Sequence, residues 1–243
     1  MKVLVIPDVH LKPRIIKEAN MIMENKHYDN AVFLGDFVDD WNRKYEVELY
    51  ERTLDTLIGF LRIWNTSLVC LGNHDYSYWH ALSEQGYSPF ALSAVRRKIN
   101  ELFNSVEDTS RIAVVHRIDR VLFSHAGLRK DFVESWIDPV YFEDTDKVLE
   151  KVNRLGVREL WTDESPLWNR PELYVPEMYP EGYMQVVGHT PVMDVTYVPA
   201  HHTLYTDVFS TRRNGIPVGT ARFIVVDTEK QSWSYVEQIR SDI

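Results

Sequence analysis

The chain has a single cysteine, Cys70. That excludes an internal disulfide and fits a reducing compartment. Cys70 falls inside the apolar run Leu68 to Leu71, where an inert core thiol is expected rather than a nucleophile. No apolar segment approaches the ~20 residues needed to span a bilayer, and the amino terminus has no apolar signal-peptide core. The expectation is a soluble, cytoplasmic protein. Basic residues are in deficit, 27 Lys and Arg against 36 Asp and Glu, a formal charge of −9. With no basic stripe to oppose that balance, a nucleic-acid backbone is not expected as the main partner. Internal repeats, low-complexity tracts and linkers are missing too. What the 243 residues do have is 44% hydrophobic content, enough for one substantial core, so residues 1–243 are read as one domain.

Short aliphatic runs recur, each ending where polar residues begin. Val3 to Ile6 leads into Pro7-Asp8-Val9-His10, and Ala31 to Leu34 into Gly35-Asp36-Phe37-Val38-Asp39. Ser67 to Leu71 leads into Gly72-Asn73-His74-Asp75, Val121 to Phe123 into Ser124-His125-Ala126-Gly127, and Met184 to Val187 into Gly188-His189-Thr190-Pro191. These read as buried strands delivering carboxylate, amide and imidazole groups at their carboxyl ends, the edge where open α/β sheets present their chemistry. A helix is expected from Pro13, with Ile15, Ile16, Ala19, Met21, Ile22 and Met23 as its apolar face. Others are expected over Glu46 to Trp64, Pro89 to Phe103 and Glu143 to Leu155, the last with Gly156 as C-cap. Arg111 to His116 and Arg120 to Ser124 read as a hairpin turning at Arg117-Ile118-Asp119. The proline-rich stretch Asp163 to Gly182, with Pro166, Pro171, Pro176 and Pro180, reads as a long irregular loop. Further strands are expected over Val192 to Val198, Thr203 to Thr206, Ala221 to Val226 and Ser232 to Val236.

Carboxylate oxygen and imidazole nitrogen suit hard or borderline divalent cations, and an acidic protein acting on phosphates needs cations to reverse the local field. The candidate ligands are Asp8, His10, Asp36, Asn73, His125 and His189. One such residue has an ordinary structural explanation as a turn, cap or hydrogen-bonded histidine. Five strand ends carrying ligand types do not share one.

Asp8-x-His10, Gly35-Asp36-x-x-Asp39, Gly72-Asn73-His74-Asp75, Ser124-His125-Ala126-Gly127 and Gly188-His189-Thr190 resemble, in order, the signatures of the calcineurin-like metallophosphoesterases. The resemblance implies a four-layer α/β/β/α sandwich with two mixed β-sheets and a dinuclear metal site. It assigns Asp8 and His10 to one cation, Asn73, His125 and His189 to the other, and Asp36 to both. Manganese or iron are the foremost candidates, with zinc, nickel or cobalt also suited to the donors. Pro191 stands where many relatives carry a second histidine. Together with Phe123 to Leu128, this is similar to the phosphoprotein-phosphatase branch and its small bacterial and phage relatives, including symmetrical dinucleoside tetraphosphate hydrolases. Leu167-Trp168-Asn169-Arg170 resembles that branch's phosphate-binding segment, which makes Arg170 a candidate substrate ligand. The branch normally has arginine where this chain has Asp40, so Arg43 or Arg170 is expected to compensate.

The implied chemistry is hydrolysis of a phosphate ester or phosphoanhydride by a hydroxide held between the two cations. His74 is the expected general acid and Asp39 its orienting partner. The expected partner is a small phosphorylated substrate, nucleotides included. Trp41, Tyr76, Tyr78, Trp79, Trp161 and Trp168 are candidate surfaces for a nucleobase. The competing readings are an inactive scaffold that binds proteins through this fold, and a nuclease or phosphodiesterase. His27, His80, His116, His201 and His202 match no motif, and structural or surface roles are expected for them.

Overall fold

The computed structural model describes residues 1–170 and 176–237. The chain opens β1 (Lys2–Ile6), α1 (Pro13–Lys26), β2 (Asn30–Phe33), α2 (Val47–Ile63) and β3 (Leu68–Cys70). Proline at the first turn of α1 and the left-handed His27 after its end set that helix's limits. The expected apolar face of α1 is buried except for Met21, which points outward and is half exposed. Two helices follow, α3 (Asn73–His80) and α4 (Leu92–Asn104), before the chain turns to strands. Expected from Pro89, α4 starts three residues later, after a turn in which Ser88 Oγ accepts from Ala91 N–H.

The strand expected over 111–116 is two strands. β4 (Ile112–Ala113) pairs with β3, whereas β5 (Val115–Ile118) belongs to the second sheet. The chain changes sheets at Val114, whose N–H is taken by the Asn153 side chain. β5 pairs antiparallel with β6 (Val121–Ser124), Ile118 opposite Val121, so the hairpin turns at Asp119-Arg120 rather than over Arg117-Ile118-Asp119. Asp119 supplies the positive φ such a turn needs. Helices α5 (Lys130–Trp136), α6 (Thr145–Val152) and α7 (Val157–Leu160) come next. Gly156 is not a C-cap. It is the N-cap of α7, its N–H bonded to the Glu159 side chain.

The described residues of the 163–182 stretch hold no helix or regular strand. Pro171 and the rest of 171–175 lie outside the described residues. β7 (Met184–Val187), β8 (Thr196–Val198), β9 (Thr203–Tyr205), β10 (Ile224–Asp227) and β11 (Ser232–Tyr235) complete the strands.

The first sheet has the order β11-β10-β1-β2-β3-β4 and the second β5-β6-β7-β9-β8. Both are mixed. β1 to β4 run parallel, β10 pairs antiparallel with β1 and β11 antiparallel with β10, while β6, β7 and β9 run parallel between antiparallel β5 and β8. With its flanking helices this is the expected α/β sandwich of two mixed sheets, and one hydrophobic cluster runs through both sheets. Polar contacts cross between them as well. Buried Cys70 Sγ lies 3.3 Å from Phe123 O, and His116 Nε2 lies 3.0 Å from Val69 O.

That second contact makes His116 structural. Burial lowers its pKa to about 4 from 6.5, against the raising effect of its backbone partners. The folded state therefore holds it neutral, while the unfolded chain takes up a proton below pH 6.5. Its contribution is complete above that pH, is lost progressively as pH falls towards 4, and reaches ~3 kcal/mol. Urea titrations at about pH 7.5 and pH 5 are expected to show a smaller stability difference for His116→Gln than for the native chain.

Candidate metal centre

Three parallel strands of the first sheet and three of the second end at one place. Asp8 follows β1, Asp36 follows β2 and Asn73 follows β3; His125 follows β6, His189 follows β7 and Asp207 follows β9. Asp8, Asp36, Asn73, His125, His189 and Asp207 are all buried. Close packing of these loops explains two glycines. A Cβ on Gly72 would lie 2.1 Å from Asp36 Oδ1, and one on Gly188 would lie 2.1 Å from Asp8 Oδ1. The backbone is strained around the same point, with positive φ at His10, Leu11, Asp36, Asp39 and His189. Such strain in non-glycine residues persists only where the surroundings enforce it.

The donors fall into two groups that share one carboxylate. Asp8, His10 and Asp36 form one, and Asp36, His125 and His189 the other. In the first, His10 Nε2 lies 3.9 Å from Asp8 and 3.8 Å from Asp36 Oδ2. In the second, His125 Nε2 lies 3.3 Å from Asp36 Oδ2, 2.9 Å from Asn73 Oδ1 and 3.0 Å from His189 Nδ1. Backbone carbonyls orient both rings: His10 Nδ1 contacts Asp39 O at 3.0 Å, and His125 Nδ1 contacts Leu34 O at 2.8 Å. Nδ1–H donation to these carbonyls leaves each Nε2 lone pair facing the carboxylates. Asn73 is oriented likewise, its amide nitrogen donating to Glu84 at 2.7 Å and its oxygen directed at His125.

Convergence of an amide oxygen, a carboxylate and a second imidazole on one nitrogen exceeds what a single proton satisfies. It suits a divalent cation with N and O ligands. The electrostatics agree. Burial raises the Asp8 carboxyl well above its usual range, and Asp207 and Asp36 add to the rise. Burial pushes Asp36 the same way, but the imidazoles of His125, His74 and His10 outweigh it and hold its pKa down. Added positive charge is what three buried carboxylates in this space lack.

A third group lies beside these two. His74 Nδ1 is 2.9 Å from Asp39 Oδ2 and 3.4 Å from Glu84 Oε1. Tyr50 and Tyr78 hydroxyls donate to Asp39 Oδ1 at 2.9 and 2.6 Å, so the carboxylate is fixed from both sides. Burial disfavours the imidazolium of His74, but Asp36, the Asp39 hydrogen bond and Glu84 prevail and raise its pKa to about 10. Asp75 ties the loops together, accepting from Phe37 N–H and Gly72 N–H.

The profile of the calcineurin-like phosphoesterases matches residues 1–212. The chain belongs to that family. Its fold is similar to a cold-active protein tyrosine phosphatase, at 15% identity and a TM-score of 0.60 over 98% of this chain and 79% of that one. It is similar also to the cold-active protein-tyrosine phosphatase of a psychrophilic Shewanella species, at 15% identity and a TM-score of 0.56 over 97% and 80%. At that identity the likeness is one of fold. No curated protein sequence matches the chain.

All six residues expected from the sequence to bind metal meet in one cluster in this metallophosphoesterase, with His74 and Asp39 paired beside it. Arg170 reaches the rim, its Nη1 donating to His189 O at 3.2 Å. Arg43 does not join the cluster. It is exposed and pairs with Glu46 at 2.7 Å. The charge of Asp40 is met instead by Lys12, whose Nζ lies 3.4 Å from Asp40 Oδ2 and 3.3 Å from His10 O. Asp40 also accepts from Thr211, so it fastens one loop to another. Lys12 and Asp207 were not among the sequence candidates. Asp207 offered a usable signal: it stands two residues beyond a strand, as Asp8 does. Its Oδ2 is buried with no hydrogen-bond partner in the protein, and burial raises its pKa, a rise that His10 and the Ser210 hydrogen bonds only partly offset. Of the six aromatic candidates, Tyr76 and Tyr78 are buried, Trp79, Trp161 and Trp168 half-buried, and Trp41 exposed. No described helix is long and apolar enough to cross a membrane.

Proposed function

We propose that this metallophosphoesterase is a metal-dependent phosphohydrolase acting on a small phosphorylated substrate, a phosphate ester or phosphoanhydride. The observation that carries the proposal is Asp36, one carboxylate shared by two donor groups, with the His74–Asp39 pair alongside. Asp8 and His10 would hold one divalent cation, Asn73, His125 and His189 a second, and Asp36 both. Manganese or iron are the metals we favour for these donors. Two such cations, when bound, activate water and neutralise charge on the phosphoryl oxygens.

The remaining work belongs to the chain's own side chains. His74, protonated and held through Nδ1 by Asp39, has Nε2–H free to donate to the leaving oxygen. Arg170 is placed to take phosphoryl oxygens in a bidentate fork. Lys12 offsets Asp40, so that carboxylate does not repel an incoming phosphate. Pro191 and the Trp168-Asn169-Arg170 segment favour the phosphoprotein-phosphatase branch within the family. Buried Cys70, its thiol pKa raised by burial, suits a reducing, cytoplasmic setting. We take the whole chain as one domain.

Hydrolysis of p-nitrophenyl phosphate and of bis-p-nitrophenyl phosphate tests the reading. Turnover is expected with added Mn²⁺ and is expected to disappear with chelator. Preference for the first ester marks a monoesterase and for the second a diesterase. Hydrolysis of neither ester, with nucleotides also left intact, would establish the scaffold reading.

A further inference from the structure

Beside the metal centre lies a cavity of about 730 Å³ whose walls carry Lys12, Arg14, Arg43, Arg52 and Arg213. The carboxylates of Asp40 and Glu46 are its acidic lining, which leaves a net charge of plus three on a protein whose total is −9. Lys12 and Arg43 are paired with those two carboxylates. Arg14, Arg52 and Arg213 are exposed, and no ion pair engages them among the described residues. Unpaired cations gathered in a concavity of an acidic protein form a local field for anions.

Trp41 also lines the cavity. It is 39% exposed, and its ring is fixed because the indole N–H donates to Thr211 O at 2.8 Å. Asn42 Nδ2 donates to Arg213 O at 3.0 Å, so the 40–42 and 211–215 loops are fastened to each other and the groove is built in advance. The groove also adjoins the metal centre through the backbone. Lys12 lies two residues from His10 and Asp40 follows Asp39 directly.

We propose that this groove is a nucleotide subsite, which holds the part of a nucleoside polyphosphate lying beyond the phosphate presented to the metal centre. The base stacks on Trp41 and the outlying phosphates meet Arg14, Arg52 and Arg213. A volume within the ~300–1,000 Å³ of small-molecule sites suits one nucleotide rather than an extended strand. As a statement about substrate this rests on the phosphohydrolase reading; as a statement about binding it does not.

The test is calorimetric titration of the full chain, in manganese buffer, with the non-hydrolysable imido analogue of ATP. The native chain is expected to bind one equivalent. The combined Arg14→Ala and Arg213→Ala variant is expected to bind about tenfold more weakly or worse, and Trp41→Ala about tenfold more weakly. Each is expected to keep native p-nitrophenyl phosphate turnover. Absence of binding, or equal affinity in the variants, overturns the proposal. Tripolyphosphate binding as tightly as the nucleotide removes the base from it, and a single-stranded oligonucleotide binding more tightly through the same residues replaces the nucleotide with nucleic acid. Binding as expected in a chain that hydrolyses no phosphate ester would leave the groove standing and remove the hydrolase reading alone.

Discussion

His74→Asn is expected to lower turnover by two to four orders of magnitude, the usual contribution of a positioned general acid, while leaving the metal content unchanged. His74 Nδ1 contacts Asp39 and Glu84 rather than the shared carboxylate. What fastens the residue to the cluster is its backbone N–H, which donates to Asp36 Oδ1 at 3.0 Å and survives the substitution. An asparagine amide can still donate towards Asp39, so the loop keeps its anchor. The amide has no ionisable nitrogen with which to protonate a leaving oxygen. The loss should therefore depend on the leaving group, large for an alkyl phosphate and small for p-nitrophenolate, which departs without a proton. Equal losses on both esters, or loss of bound manganese, would show that His74 holds the site together instead.

Much of this site was legible because its residues sit at the ends of buried strands. β1 spans the expected residues, and α1 begins at the expected Pro13. A strand covered on both faces is a continuous apolar run, and the polar residues that end it stand out. Where burial does not follow a simple period, the pattern fails. α3 has no clear sequence signal because polar Asn73, Asp75 and Ser77 are buried together with Tyr76 and Tyr78, so apolar and polar residues do not separate onto two faces. In sequence the Asn73-His74 segment therefore reads as loop, although it is the first turn of a helix. The break at Val114 was hidden for another reason. β4 and β5 read as one run, and only pairing with different partners separates them. Lys12 carries no sequence signal because its significance lies in Asp40, 28 residues away, and Glu84 none because its hydrogen bond to Asn73 reaches back over the whole of α3. Such contacts are made by tertiary folding and have no local pattern.

Asp36→Asn is expected to abolish binding of both cations, whereas Asp8→Asn is expected to affect only the group it belongs to. The asymmetry follows from the shared oxygen. Asp36 Oδ2 lies 3.8 Å from His10 Nε2 and 3.3 Å from His125 Nε2, so a single atom faces both imidazoles. In the asparagine, the bond from His74 N–H keeps the amide oxygen on the Oδ1 side, which directs the NH₂ group at the two ring nitrogens. A donor then occupies the lone pairs that would hold the cations, and the one negative charge common to both groups is gone. Charge and geometry act together, so turnover should fall at least as far as in His74→Asn, and added Mn²⁺ should not restore it. Manganese content after dialysis, with the Mn²⁺-induced shift in melting temperature, provides the measurement. Two manganese ions retained per chain would mean that Asp36 does not join the groups, and the dinuclear reading would have to give way to two independent sites.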